Sequence, residues 1–206
     1  MTDERDNIIK IFLDRKIIWE QHNHGPHAAY DMADKHSGYY FNSDLAIMYP
    51  DLRRIAASYL ASFVEDTQDD YWVFSYFASI SASLALATEI STILGKRLGY
   101  FNIATGKTNF PILERDKILI VVDDIHSGGS IRKMLTAFKY ANCNVIPTLL
   151  TLGNFSNKDD IDGLHIRSIV RRPIESWPAA SCPLCTSGSR VLSARSQWKE
   201  LTSADI

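Results

Sequence analysis

The chain has 206 residues, 46% hydrophobic and 22% charged, which suits one soluble globular domain with a substantial core. Its formal net charge of −2 gives no overall field that draws nucleic acid or an anionic membrane. No apolar run reaches bilayer length, the Met-Thr-Asp-Glu-Arg-Asp start does not suit a secretory signal, and three cysteines suit a reducing compartment, so a cytoplasmic location is expected.

Residues 6–20 carry Ile8, Ile9, Ile11, Phe12, Ile17, Ile18 and Trp19 at mostly helical spacing, which predicts an amphipathic helix. Residues 21–37 are polar and contain His22, His24, His27 and His36. Their spacing fits no compact ligand pattern, so solvated loop histidines are expected. His36–Asn42 reads as a turn and a short strand. Pro50 opens a helix with Leu52, Ile55, Tyr59, Leu60 and Phe63 on one face.

Tyr71–Tyr76 is a strand of aromatic and β-branched residues, 80–95 is helical, and Leu98–Ile103 is a strand. Ala104–Arg115 is a polar loop or hairpin. A buried strand follows at 118–123, then a helix at 130–142 and strands near 145–152 and 165–170. The recurring strand–helix–strand order predicts an α/β fold with a mainly parallel central sheet flanked by helices. A single domain over 1–206 is expected, with a core at 46–171 and segments 1–45 and 172–206 packing together as a small cap.

The chemistry concentrates at Ile118–Ser130, Ile-Leu-Ile-Val-Val-Asp-Asp-Ile-His-Ser-Gly-Gly-Ser. An apolar strand ends in Asp123 and Asp124, and a Gly-rich turn leads into a helix beginning with Ile131 and Met134. Unpaired N–H groups at a helix start attract phosphate oxygens, and Gly128 and Gly129 let the backbone approach an anion. Ser127 and Ser130 add hydroxyl donors. Two carboxylates suit the hydroxyls of a ribose or a hydrated Mg²⁺. Phosphate at one end and diol acceptors at the other suggest a ribose 5-phosphate. The plainer alternative is a strand whose aspartate caps a turn. A Walker-type reading fails, because six residues separate Gly99 from Gly106 where a P-loop needs four.

Residues 118–130 resemble the phosphoribosyl-pyrophosphate (PRPP) motif of type I phosphoribosyltransferases. Two further segments resemble orotate-type members: Lys35–Asn42, with its Ser-Gly turn and aromatic strand, and Ser181-Cys182-Pro183-Leu184-Cys185. The resemblance implies the type I phosphoribosyltransferase fold. It implies that Asp123 and Asp124 hold the ribose hydroxyls, with Mg²⁺ directly or through water, and that Ile125, His126, Ser127, Gly128, Gly129 and Ser130 wrap the 5-phosphate. It also implies Ser37, Tyr40 and Phe41 as base-pocket residues, although core aromatics of a hairpin read almost as well. Related enzymes are commonly homodimers.

Two loops depart from the family pattern. The place of the pyrophosphate loop, Phe74–Ser83, contains no glycine, leaving Ala78, Ser79 and Ser81 as candidates, with Arg97 as a neutralising cation. The catalytic loop is short and lacks histidine, and Lys107 is its best basic candidate. Cys182 and Cys185 have zinc-knuckle spacing but supply only two ligands, so a zinc-free turn is favoured over a site shared between subunits. The expected activity is transfer of a 5-phosphoribosyl group between PRPP or a nucleotide and a base, orotate favoured. The alternative is a PRPP- or nucleotide-binding regulator within a larger assembly.

Overall fold

The computed structural model describes residues 2–22, 25–30, 34–64, 69–77 and 82–203. In chain order the elements are α1 (Thr2–Asp14), β1 (Ile18–Glu20), β2 (His27–Tyr30), β3 (Lys35–Ser37), β4 (Tyr39–Phe41), α2 (Ser43–Met48), α3 (Pro50–Ala61), β5 (Trp72–Phe77) and α4 (Ala82–Leu94). They continue with β6 (Arg97–Asn102), β7 (Lys107–Thr108), β8 (Lys117–Ile125), α5 (Gly129–Tyr140), β9 (Asn144–Asn154), β10 (Asp160–Ile161) and β11 (Leu164–Arg171). The last are β12 (Trp177–Pro178), α6 (Pro183–Thr186), β13 (Val191–Ser193) and α7 (Trp198–Ser203). The chain forms two compact units, Met1–Ile9 with Ser43–Arg172, and Lys10–Asn42 with Pro173–Ile206.

The larger unit is built on a seven-stranded sheet in the order β10-β11-β9-β8-β5-β6-β7. Its five central strands are parallel, and a two-residue antiparallel strand closes each edge. Ile118–Val122 of β8 are fully buried, as expected for a strand with helices on both faces of its sheet. Ile118, Ile120 and Val122 pack in one core with Ile131, Met134 and Phe138 of α5, the spacing of one strand face against one helix face. From β5 the chain runs outward to β6, then returns to β8 and runs outward the other way to β9 and β11. The direction therefore reverses between β5 and β8, and in such sheets the carboxyl ends at that reversal form a ligand crevice.

The smaller unit pairs β1 with β4 and holds a second sheet, β12-β3-β2-β13. Its core is small: Trp19, Ala28, Leu192, Ala194 and Leu201, with Tyr40 and Trp198 packed against it.

Two expectations need correction here. The first helix ends at Asp14 rather than running to residue 20. Lys16 takes a left-handed φ of 52° and turns the chain, and Ile17 and Trp19 are buried while Ile18 is only half-buried. That alternation has the period of a strand, and β-branched and aromatic side chains favour it. The four histidines are not all solvated: His22 is exposed, but His27 is fully buried and His36 half-buried, while His24 lies outside the described residues.

Gly99 shows how tightly the sheet face is packed. A Cβ there would stand 2.3 Å from the Phe74 ring, which meets Phe138 edge-on at 5.2 Å. Gly99→Ala is expected to destabilise the protein by about 1–3 kcal/mol, the usual cost of overpacking. Chemical denaturation checks this, and an unchanged midpoint would contradict the packing described.

Candidate functional site

The strand β8 carries its two carboxylates to the carboxyl end of the sheet, beside the end of β5. Asp123 is fixed there from several elements. Its Oδ1 accepts the Tyr76 hydroxyl of β5 at 2.8 Å and the Ser83 hydroxyl of α4. The Ser83 oxygen in turn accepts the Asp123 backbone N–H at 2.9 Å, and Thr151 of β9 donates to the Asp123 carbonyl at 3.0 Å. Ser43, at the start of α2, reaches across the pair, donating to Asp124 Oδ2 at 3.2 Å and approaching Asp123 Oδ2 at 3.5 Å.

The partners divide the labour of the two carboxylates. One oxygen of Asp123 is filled by protein donors, whereas Asp124 lines an open cleft. That cleft, about 340 Å³, is bounded by Tyr76, Asp124, Ile125 to Ile131 and Lys133. Burial pushes the Asp124 carboxyl well above the usual carboxylate range. The Asp123 charge adds to this, Asp44 adds less, and the Ser43 hydrogen bond partly offsets it. Burial, and then the Asp123 charge, raises the Tyr76 phenol too, so it stays a neutral donor.

The turn after the carboxylates becomes a helix N-terminus facing the same cleft. Gly128 caps α5 with φ 75° and ψ 13°, in the left-handed region. A Cβ there would stand 2.7 Å from Ile161 Cδ1, so both the backbone angle and the space call for glycine. Arg132 secures the turn by donating to the Ser127 carbonyl at 2.8 Å and pairing with Asp162 at 3.4 Å. His126 is exposed, 3.9 Å from Asp124 Oδ1 and stacked near Phe155 at 5.3 Å. Asp124, Ile125, His126, Ser127, Gly128, Gly129 and Ser130 therefore share one cleft.

The other candidates land elsewhere. Arg97 begins β6 at the opposite, amino end of the parallel sheet, where it pairs with Asp70 at 2.9 Å and lies 4.2 Å over the Trp72 ring. It is a structural cation at the wrong end of the strand for a pyrophosphate. Lys107 is exposed on β7, with β5 and β6 between its strand and β8. No contact joins it to the acidic pair among the described residues. Phe41 is a core residue of the smaller unit, 5.5 Å edge-on from Phe12. Ser37 is buried, donating to the Glu175 carbonyl at 2.8 Å and accepting the Tyr39 N–H. Tyr40 stacks between Tyr30 at 5.0 Å and Trp198 at 5.6 Å. Both aromatics pack against rings of their own unit. Ala78, Ser79 and Ser81 lie outside the described residues.

Ser43 and Lys133 were missed by sequence reasoning. Lys133 has a local signal: it lies three residues after Ser130, within the first turns of the helix that follows the Gly-Gly-Ser turn. Ser43 lies 80 residues from Asp123, and no local pattern marks it.

No protein-family model matches the chain. The chain is 26% identical over 198 residues to an orotate phosphoribosyltransferase of Caldicellulosiruptor bescii, covering 95% of this chain and 99% of that one. Its structure is similar to the orotate phosphoribosyltransferase from Aeropyrum pernix, with a TM-score of 0.61 at 17% identity over 80% of this chain and 93% of the other. It is also similar to Leishmania donovani UMP synthase, with a TM-score of 0.60 at 15% identity, where it covers 96% of this chain and 41% of that longer one. The fold is that of the type I phosphoribosyltransferases. Within that fold the chain resembles the orotate-type members.

The raised Asp124 carboxyl has a consequence for stability. A carboxyl whose folded pKa lies above its unfolded value holds its proton more tightly in the native state. Its contribution to stability is fully present below the unfolded pKa and is lost as pH rises through the folded one. Above that window the charged Asp124 is a liability. Asp124→Asn is therefore expected to raise stability near pH 8 by about 0.5–2 kcal/mol, the usual gain when a functional residue is relieved of such a cost. The gain should vanish towards pH 4. Denaturation of both proteins across that range checks it, and a loss of stability at pH 8 would contradict the account.

Proposed function

We propose that the protein is an orotate-type phosphoribosyltransferase, joining a pyrimidine base to the 5-phosphoribosyl group of PRPP. The observation that carries this reading is the cleft itself, with a carboxylate pair at one end and the Gly-Gly-Ser start of α5 at the other. The similarity to proteins named orotate phosphoribosyltransferase supports the choice of base.

In this reading the ribose hydroxyls donate to the Asp124 carboxylate and to Asp123 Oδ2, which Ser43 only approaches at 3.5 Å, and Asp123 is kept in place by Tyr76 and Ser83. The 5-phosphate lies against the N–H groups of residues 127–130, with the hydroxyls of Ser127 and Ser130 as further donors. Lys133 adds positive charge on the same wall. In the reaction the bond from C1 of the ribose to the pyrophosphate oxygen breaks and the electron pair leaves with pyrophosphate, while a ring nitrogen of the base forms the new bond to C1 and gives up its proton to solvent or to the departing pyrophosphate. Positive charge develops at C1 and the adjacent ring oxygen, and the nearby carboxylates favour it.

The residues present fit Mg²⁺. The donors are hard carboxylate oxygens; burial first and the Asp123 charge second raise Asp124, and a cation relieves the second of these. Asp123 and Asp124 would hold it, directly or through water, and when bound it supplies charge neutralisation for the departing pyrophosphate.

The protein incubated with PRPP, orotate and Mg²⁺ should consume orotate and release pyrophosphate in equal amounts. Purine bases should give none, and a chelator should stop the reaction. PRPP binding without pyrophosphate release with orotate, uracil or the purines would overturn the transferase assignment.

A further inference from the structure

The histidines and cysteines that the cleft leaves unused converge in the smaller unit. His27 Nε2 lies 3.1 Å from His36 Nδ1, 3.4 Å from Cys185 Sγ and 3.7 Å from Cys182 Sγ. His36 Nδ1 lies 3.2 Å from Cys185 Sγ. All four donor atoms lie within 4.8 Å of one another. Tetrahedral zinc, with bonds of about 2.0–2.1 Å to nitrogen and about 2.3 Å to sulfur, requires edges of about 3.3 Å between nitrogens and about 3.5 Å from nitrogen to sulfur. The side chains already stand close to those edges.

The surroundings fix the histidine as a ligand. The Ser189 hydroxyl donates to the Gly25 carbonyl at 2.7 Å and accepts Gln21 Nε2 at 3.0 Å. Its remaining lone pair faces His27 Nδ1 at 2.9 Å. With the Ser189 hydrogen directed at Gly25, the matching His27 tautomer carries its proton on Nδ1, donating it to Ser189. The lone pair of Nε2 then points at the other three donors. This is the outer hydrogen bond that metal-bound histidines commonly make. Burial completes the picture, with His27 fully buried and Cys182 only 2% exposed.

We propose that His27, His36, Cys182 and Cys185 form a closed Cys₂His₂ site for a structural Zn²⁺. Two thiols ionise on binding and release two protons to solvent, while both histidines bind as neutral rings. The four ligands leave zinc no open position, so the site is structural rather than catalytic. It ties β2 and β3 to Cys182 and the short helix α6, joining the two chain segments of a unit whose own apolar core is small. Small units of this kind commonly need such a staple. The site replaces the zinc-free turn expected from Cys182 and Cys185 alone, and it is complete within one chain.

The whole protein, purified without chelator, should carry about one zinc per chain by elemental analysis. After zinc removal, Co²⁺ should restore about one equivalent, with the visible bands of a tetrahedral site and the near-ultraviolet band of thiolate-to-cobalt charge transfer. Cys182→Ser with Cys185→Ser should cut bound zinc at least tenfold, and Cys143→Ser should leave it unchanged. Should the double variant not fold, the Co²⁺ spectrum of the wild type decides. A wild-type protein that retains no zinc and gives no thiolate–cobalt band would overturn the proposal, as would full zinc content in a folded double variant.

Discussion

The hydrogen bonds that hold Asp123 are the constraint on which the cleft depends. Tyr76 from β5, Ser83 from α4 and Thr151 from β9 all converge on one residue at the end of β8. They occupy one carboxylate oxygen and the backbone, and so determine which way the strand delivers its second acid. Asp124 is consequently presented to the cleft, beside another negative charge and partly removed from water. Such an arrangement costs stability and is worthwhile only where a hydroxyl-rich or cationic ligand completes it.

The helix start works by the opposite logic. Arg132 and the left-handed Gly128 hold the turn so that its N–H groups face the cleft. An electron-rich wall and an electron-poor wall then stand a few residues apart in sequence, at the point where the sheet reverses direction. The spacing suits a sugar that carries hydroxyls on one side and a phosphate on the other. The smaller unit is organised differently, around a few aromatic side chains and four potential metal ligands.

Much of this was legible in the sequence, for physical reasons that differ by element. Ile118–Val122 could only be a buried strand, and the Gly-Gly-Ser that follows the acidic pair could be read as a turn because glycine there relieves both angle and space. Residues 17–19 were misread because a short apolar run fits helical and strand periods equally well. Arg97 was misplaced because sequence proximity to a strand does not say which end of the sheet a residue reaches. An aromatic hairpin strand reads almost equally as a base pocket or as core, and Phe41 packs against Phe12 within the smaller unit. That the histidines and the Cys182–Cys185 pair would cluster was not legible, because His36 and Cys185 are 149 residues apart and only the folded unit brings them together.

The account turns on the claim that the cleft holds a ribose 5-phosphate through the half-buried Asp124 carboxylate. Calorimetric titration of ribose 5-phosphate in the presence of Mg²⁺, with the wild type and with Asp124→Asn, tests this without requiring any base or turnover. The account predicts measurable binding by the wild type and a loss of about tenfold or more in the folded variant, as expected when a charged hydrogen-bond acceptor is removed. Equal affinity in the two proteins would contradict it.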